Sequence, residues 1–293
     1  MKNFIYFNYG FYPKIIYKRN NEEFFFINDE KIYIKRFRDD IKKLEEIYNI
    51  SNRLYNQKIL VNTLIHNKQK QYYTKRDNEN IILLRVNEIE IDKIELKDIE
   101  KYNVEINSLE EFDLIEYYKN KIDELELRMI EFNKEYKIIQ ESINYFIGMG
   151  ENAIQLLSNY YDKGKNNHLS HNIKLKDYSI KELNNPLNII KTNKYYNISN
   201  YIKYKFYNYE LDYDELYSIL KECNEYEGII FFTSIMFPKE YFEIVEEIIN
   251  ETTEEKEINN IIKRIDEYSY LINFCRKCLI YIEDIKLINW LDK

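Results

Sequence analysis

Hydrophobic positions change their period partway along the chain. Up to residue 86 they fall in short aromatic and β-branched runs at Phe4–Tyr9, Lys14–Lys18, Phe24–Ile27 and Lys31–Phe37. Turn-forming residues separate some of these runs, at Arg19-Asn20-Asn21 and Asn28-Asp29-Glu30. Short runs of this kind bounded by such residues predict strands. One helix interrupts them: Asp39-Asp40, acids suited to a helix N-terminus, lead into Ile41, Leu44, Ile47 and Leu54. Further strands are predicted around Ile59–His66 and Gln71–Thr74, and at Ile81–Val86, whose unbroken apolar sequence reads as buried. The expected result is an antiparallel sheet with one helix packed on it.

After about residue 107 the spacing becomes helical. Ser108-x-x-Glu111 reads as a capping box. Phe112, Ile115, Tyr118, Ile122, Leu125, Met129 and Phe132 then recur every three or four residues, as one helix face requires. A second helix runs from Ile139 to Tyr161 and contains Gly148 and Gly150. Each glycine costs about 1 kcal/mol relative to alanine, which implies that another backbone comes close. Residues 163–195 are irregular apart from a strand at Leu187–Ile190; helices resume at Ile198–Phe206, Asp214–Cys223, Tyr226–Met236, Tyr241–Ile249 and Asn259–Leu291. The expectation is an α+β chain of two lobes, β-rich over residues 1–88 and helical over 89–293. A small sheet lobe followed by a large helical lobe is the outline of a protein kinase, an analogy of order that carries no activity with it.

Composition modifies this only in places. The 293 residues are 45% hydrophobic, enough for a globular core. Ile, Asn, Lys and Tyr dominate, with 30 tyrosines and Ala153 as the single alanine; AT-rich codons encode that set, so the aromatic excess reflects codon bias before chemistry. The opening residues lack the apolar region of a signal peptide. The longest apolar run, Gly228–Pro238, is about half the roughly 20 residues a membrane-spanning helix needs, so no membrane insertion is expected. Three cysteines without a framework suit a reducing, cytoplasmic setting. Cys275 and Cys278 lie in an amphipathic pattern without two further ligands, so no metal is expected. A net charge of −8 disfavours nucleic acid as a partner.

Few residues suit kinase chemistry. Lys35 in Ile32-Tyr33-Ile34-Lys35 matches the V-A-I-K strand element, and Glu46 on the next helix is the candidate partner that would complete a nucleotide-binding remnant. The bland alternative is a strand-end lysine and a solvated glutamate. No glycine-rich phosphate cover can be written, since Gly10 stands alone and the chain has five glycines. In the window 163–209, where kinase chemistry needs carboxylates, the only acids are Asp177 and Glu182. Lysines 163, 165, 174, 176, 181, 191, 194, 203 and 205 give that window an excess of seven positive charges. It reads either as a solvated face or as a docking surface for an acidic partner or anionic ligand. His168 and His171 have no nearby cysteine or carboxylate and read as hydrogen-bonding loop residues.

Several stretches together resemble the spore-coat kinase-like proteins of the CotS/YutH type, relatives of aminoglycoside and choline phosphotransferases in spore-forming Firmicutes. They are Tyr145–Ile154, His168–Ile173 (HLSHNI), Asn185–Ile190 (NPLNII), Ile198–Lys203 and Ile235–Glu243, preceded by the helix Asp113–Glu131. The resemblance covers roughly residues 80 to 245. It implies that His171 opens the catalytic loop with the base position at Ile173, that Lys191-Thr192 stand where the magnesium Asp belongs, and that Asn197 replaces the Asp opening the next helix. Isoleucine takes no proton, threonine is a weak magnesium ligand and lysine repels the ion. The resemblance thereby implies a pseudokinase scaffold acting in sporulation or the spore coat through other proteins, in the mother-cell cytoplasm and the coat. Such a scaffold needs no cofactor, though residual ATP binding stays open. The alternative is an active small-molecule phosphotransferase with relocated acids at Asp177 or Asp162; a helical adaptor of unrelated fold is a weaker third reading. The basic patch of Lys174, Lys176, Lys191, Lys194, Lys203 and Lys205 is expected around the former cleft, where it would hold a nucleotide without magnesium. Partner identity and oligomeric state stay open.

Overall fold

A computed structural model describes residues 1–19, 22–87, 93–132, 136–162 and 164–279. The chain forms two compact units: Met1–Glu110 with His171–Ile173 and Asp177–Ile190, and Glu111–Ser170 with Lys174–Lys176 and Lys191–Lys293. The boundary expected at 88–89 falls outside the described residues, as does the turn at Asn20-Asn21.

The first unit holds α1 (Lys2–Tyr9), β1 (Tyr17–Arg19), β2 (Glu22–Ile27), β3 (Glu30–Phe37), α2 (Lys42–Asn56), β4 (Thr63–Ile65), β5 (Thr74–Arg76), β6 (Glu79–Arg85) and α3 (Leu96–Glu100). The strands form an antiparallel sheet in the order β1-β2-β3-β6-β4, with β5 also on β6. Strand alternation divides β6 between two cores. Ile81 and Leu83 join Ile5, Tyr9, Phe25, Ile32 and Ile34. Ile82 and Leu84 join Tyr33, Phe37, Leu44, Ile47 and Leu64. Both faces of β6 are therefore covered, which is why its apolar run is continuous. The run Phe4–Tyr9, expected as a strand, is the helix α1. It buries Ile5 and Tyr9, one turn apart, and leaves Phe7 exposed, and Gly10 ends it in the left-handed region (φ 82) with its N–H on the Tyr6 carbonyl. Two helices, α1 and α2, thus pack on the two cores of the sheet, where one was expected. Residues 171–190 return to this unit through polar contacts. Asn62 N–H donates to the Asn184 carbonyl (2.8 Å), and the Tyr102 hydroxyl donates to Asn184 Oδ1 (2.6 Å).

The later elements are α4 (Leu114–Phe132), α5 (Lys137–Tyr160), β7 (His168–His171), α6 (Ile180–Leu183), β8 (Ile189–Thr192), α7 (Lys194–Tyr207), α8 (Tyr213–Lys221), α9 (Glu225–Met236), α10 (Lys239–Ile249), α11 (Asn259–Ile262) and α12 (Ile265–Cys278). The last expected helix is thus broken near Lys263-Arg264, and its stretch from 280 lies outside the described residues. The long apolar run is α9, buried from Gly228 to Met236, as a helix that is apolar all round must be. Among the described residues no helix is long and apolar enough to cross a membrane. The expected capping box at Ser108 does not form, because α4 starts later and Asp113 Oδ1 caps the Glu116 N–H (3.0 Å). Glu111 instead accepts from the Tyr161 hydroxyl (2.7 Å), Asn166 Nδ2 (2.7 Å) and Gly164 N–H (3.1 Å).

Gly150 on α5 answers to side chains rather than to the expected backbone. A Cβ there would lie 2.9 Å from Ile122 Cδ1 on α4, 3.4 Å from the Phe237 ring and 3.5 Å from the Phe242 ring. That wall is itself tight: Tyr118 stacks on Phe237 at 3.8 Å, and Phe146 on Tyr241 at 3.8 Å. Gly150→Val is expected to cost about 1–3 kcal/mol by overpacking. Ile122→Ala in the same chain should recover part of that loss, read as coupling in a double-mutant cycle by chemical denaturation. Equal losses with and without Ile122→Ala would show that Gly150 is not held by this contact.

Candidate functional site

The site in the first unit is built on β3. Strand alternation puts Tyr33 and Lys35 on one face, and the β2–β3 register, with Glu23 opposite Ile34, brings Glu22 beside Lys35. Lys35 Nζ lies 2.5 Å from Glu22 Oε1, and the ammonium of Lys181 on α6 pairs with the other oxygen, Oε2. A single carboxylate thus bridges two lysines far apart in sequence. The Lys35–Glu46 pair expected from the sequence is not formed, because the adjacent strand supplies a closer acid than α2 does. Burial pushes the Glu22 carboxyl up, but the hydrogen bonds and charges of Lys181 and Lys35 outweigh it and hold the group below the usual carboxylate value.

Tyr33 fills the face next to Lys35. Its side chain is 3% exposed, and its ring faces the ammonium groups of Lys31 (4.7 Å), Lys35 (5.1 Å) and Lys181 (5.4 Å). Phe24, opposite it on β2, approaches edge-on at 6.1 Å, and Leu187 packs against the same cluster. In a V-A-I-K element an alanine occupies this place, two residues before the lysine and on its face. Here a phenol takes the space.

The degenerate positions divide between the units. In the first, His171 is 1% exposed with its ring 4.7 Å from that of Tyr102, Ile173 is 5% exposed in the core, and Asn172 N–H donates to the Asn188 carbonyl (2.9 Å). In the second, Thr192 is fully buried at the end of β8, Asn193 caps α7 through the Tyr195 N–H (3.0 Å), and Asn197 is buried on α7. Lys191 accepts the Phe112 N–H at its carbonyl (2.7 Å). A hydroxyl, an amide and an isoleucine do not suit magnesium, which prefers anionic oxygen. Among the described residues no group of three or more His, Cys, Asp or Glu is placed to hold a metal. Of the relocated-acid candidates, Asp162 is 3.0 Å from Lys165, and Asp177 is exposed in the first unit with its carbonyl accepting from Ser179 Oγ.

The basic window is neutralised in space. Lys174 (3.7 Å) and Lys176 both pair with Glu247, Lys194 with Glu227 (3.1 Å), Lys203 with Glu240 (3.2 Å) and Lys205 with Glu210 (3.4 Å). Lys181 is bound to Glu22 in the first unit, Lys191 forms no ion pair among the described residues, and Lys163 lies outside them. Five of the six lysines expected as a basic patch therefore have a carboxylate partner. The compensating acids lie elsewhere in the sequence, largely on one face of α10 at Glu240, Glu243 and Glu247. Lys203 is 1% exposed and also donates to the Phe237 carbonyl (2.5 Å); burial lowers its pKa, and burial raises that of Glu243 against the pull of Lys239. These carboxylates wall a cavity of about 530 Å³ with Tyr204, Tyr207 and Arg264. Sequence reasoning missed Glu22, Lys181 and Tyr33. Tyr33 was readable as the substitute for an alanine, while the other two depend on register and on the return of residues 177–190.

The family model described as "Spore coat putative kinase YutH" matches residues 2–273. No curated protein matches significantly. An aminoglycoside phosphotransferase from Alicyclobacillus acidocaldarius subsp. acidocaldarius DSM 446 superposes with a TM-score of 0.64 at 7% identity, over 94% of this chain and 95% of that one. The AMP-bound complex of a spectinomycin phosphotransferase superposes with a TM-score of 0.51 at 10% identity, over 94% and 96%. These likenesses show the fold, that of the kinase-like aminoglycoside phosphotransferases.

Glu22→Gln is expected to destabilise the protein by about 1–2 kcal/mol at neutral pH, between the values for exposed and charge-assisted pairs. The sign with pH is set by the lowered pKa. The contribution is present above the unfolded value near 4.5 and is lost as pH falls through the lower folded value. Below pH about 4.5 the variant should therefore lose less stability than the parent, as read by denaturant titration across pH. Identical acid profiles would show that Glu22 is not held by its lysines.

Proposed function

The chain belongs to the YutH family of spore-coat kinase-like proteins, and we propose that it keeps this fold without transferring phosphoryl groups, serving the coat as a scaffold through contacts with other proteins. One observation carries the reading: the face of β3 that presents Lys35 is taken by the Tyr33 ring and by the Glu22 carboxylate. A nucleotide there would meet a phenol where the V-A-I-K element has an alanine, and a lysine held by an acid of the neighbouring strand and not of the following helix. Ile173, Lys191-Thr192 and Asn197 support it, since the general base and the anionic magnesium ligands of phosphoryl transfer have no counterpart at these positions. The same reading places the protein in the mother-cell cytoplasm and the coat of a spore former, where a fluorescent fusion should collect at the coat late in sporulation. The active phosphotransferase is the competing reading, favoured by the likeness to aminoglycoside phosphotransferases.

Thermal shift separates the two. A ligand at 100 times its Kd stabilises by about 2.7 kcal/mol, several degrees for a chain of this size. Millimolar ATP with Mg²⁺ is expected to leave the melting temperature of the parent unchanged, while Glu22→Gln with Tyr33→Ala should gain a measurable shift. A rise of several degrees in the parent, with ADP accumulating beside a hydroxylated acceptor, would establish the competing activity.

A further inference from the structure

The N-terminal stretch is the opposite of the basic window. Residues 1–21 contain Lys2, Lys14, Lys18 and Arg19 and not one Asp or Glu, in a chain whose net charge is −8. All four cations are exposed, as is Lys68 nearby, and none forms an ion pair among the described residues. Large apolar side chains are exposed with them: Phe7 is 69% exposed, Tyr12 61%, Ile15 54%, Tyr6 46% and Tyr17 42%. Contacts join those around α1 into one cluster, while Tyr17 stands with Phe24 and Tyr33 on the other face of the sheet. Tyr6 meets Phe7 (5.7 Å) and Tyr12 (5.8 Å) edge-on, Lys68 Nζ sits 5.2 Å above the Tyr6 ring, and Lys2 Nζ donates to the Lys14 carbonyl. Further along, β1 is the outermost strand of the sheet and exposed at all three residues, with Tyr17 stacked on Phe24 (5.3 Å) and edge-on to the half-exposed Phe26 (5.8 Å).

We propose that this stretch is a docking surface for an extended acidic segment of another protein, which adds a strand to the free edge of β1. The inference rests on the scaffold reading and names the chemistry of the partner. Glu23 and Glu22 stand opposite Lys18 and Arg19 on β2, yet none of the five cations forms an ion pair among the described residues, which leaves them to a negatively charged occupant. The exposed rings call for apolar side chains between the acids, since an aromatic cluster left in water is a contact surface. The open edge decides the class of macromolecule. Unpaired N–H and C=O groups of an edge strand are satisfied by an extended peptide backbone and not by a bilayer. Alternating acidic and apolar residues in that peptide would set the acids on the face of Lys18 and the apolar groups on the face of Tyr17, because strand side chains alternate.

The test uses the full chain and a fluorescein-labelled peptide of about twelve residues that alternates Glu and Val. Its controls are a Lys–Val peptide, a Glu–Val peptide with prolines at every second valine, and phosphatidylglycerol vesicles. In fluorescence anisotropy the Glu–Val peptide should bind at least about tenfold tighter than either control peptide. Its affinity should fall severalfold between about 50 and about 300 mM salt. Lys18→Glu with Arg19→Glu, and separately Tyr17→Ser with Phe26→Ser, should each weaken it about tenfold with an unchanged circular dichroism spectrum. Equal binding of the Glu–Val and Lys–Val peptides, full binding by the proline-interrupted peptide, indifference to both double variants, or capture by vesicles in place of the peptide would each overturn the proposal. ATP turnover by the parent would remove the scaffold reading and leave this binding result standing, so the two failures are distinguishable.

Discussion

Lys35 and Lys181 can approach one another because Glu22 lies between them. Their ammonium groups, together with that of Lys31, surround one buried tyrosine ring. Like charges so close in a half-buried setting repel by several kcal/mol at the effective dielectric of a protein surface. The ring face offers each ammonium a weak attraction, and the bridging carboxylate supplies the rest. Without it, the segment carrying α6 would bring a positive charge onto a sheet face that is already positive. The return of residues 177–190 to the first unit therefore depends on a residue contributed by β2. The second unit solves the same problem on a larger scale. There, α10 places Glu240 and Glu247 against Lys203, Lys174 and Lys176, and the buried Lys203 also reaches a main-chain carbonyl.

These compensations explain which features could be read from the chain. Period alone revealed β6, α2 and α4, because each has a burial pattern several residues long. It failed for Phe4–Tyr9, where a run of six mixed aromatic residues fits a strand as well as a helix. What decides there is Gly10 in the left-handed region and the pairing of Ile5 with Tyr9 one turn later. Ser108-x-x-Glu111 satisfied a local rule, yet Glu111 is needed by Tyr161, Asn166 and Gly164. The excess of lysine between 163 and 209 is true of the sequence and disappears in space, since charge balance is struck between helices. Lys35 was legible as a position, but its partner was set by strand register, which the sequence pattern leaves open.

The fold can outlast kinase chemistry because different residues carry the two. On β3, Ile32 and Ile34 point into one core, while Tyr33 and Lys35 face the other side. Ile32 and Ile34 thus serve one core and Tyr33 the other. Ile173, 5% exposed, belongs to the core and adds to folding. Burying an isoleucine is worth about 1.5–3 kcal/mol, whereas a carboxylate in the same place pays for desolvation unless an ion answers it. The likeness to phosphotransferases at 7–10% identity is a likeness of fold.

On the exposed surface of a protein the distribution of charge matters more than its sum. Lysines that meet glutamates inside a unit add to its stability and present little to a partner. Cations in a stretch without acids keep their field, and rings exposed beside them give that field something to hold. The first nineteen residues combine both with an unpaired strand edge. Edge strands invite any extended chain, so proteins commonly blunt them with lysine. Lys18 and Arg19 stand on such an edge, where their charge opposes pairing with a basic strand.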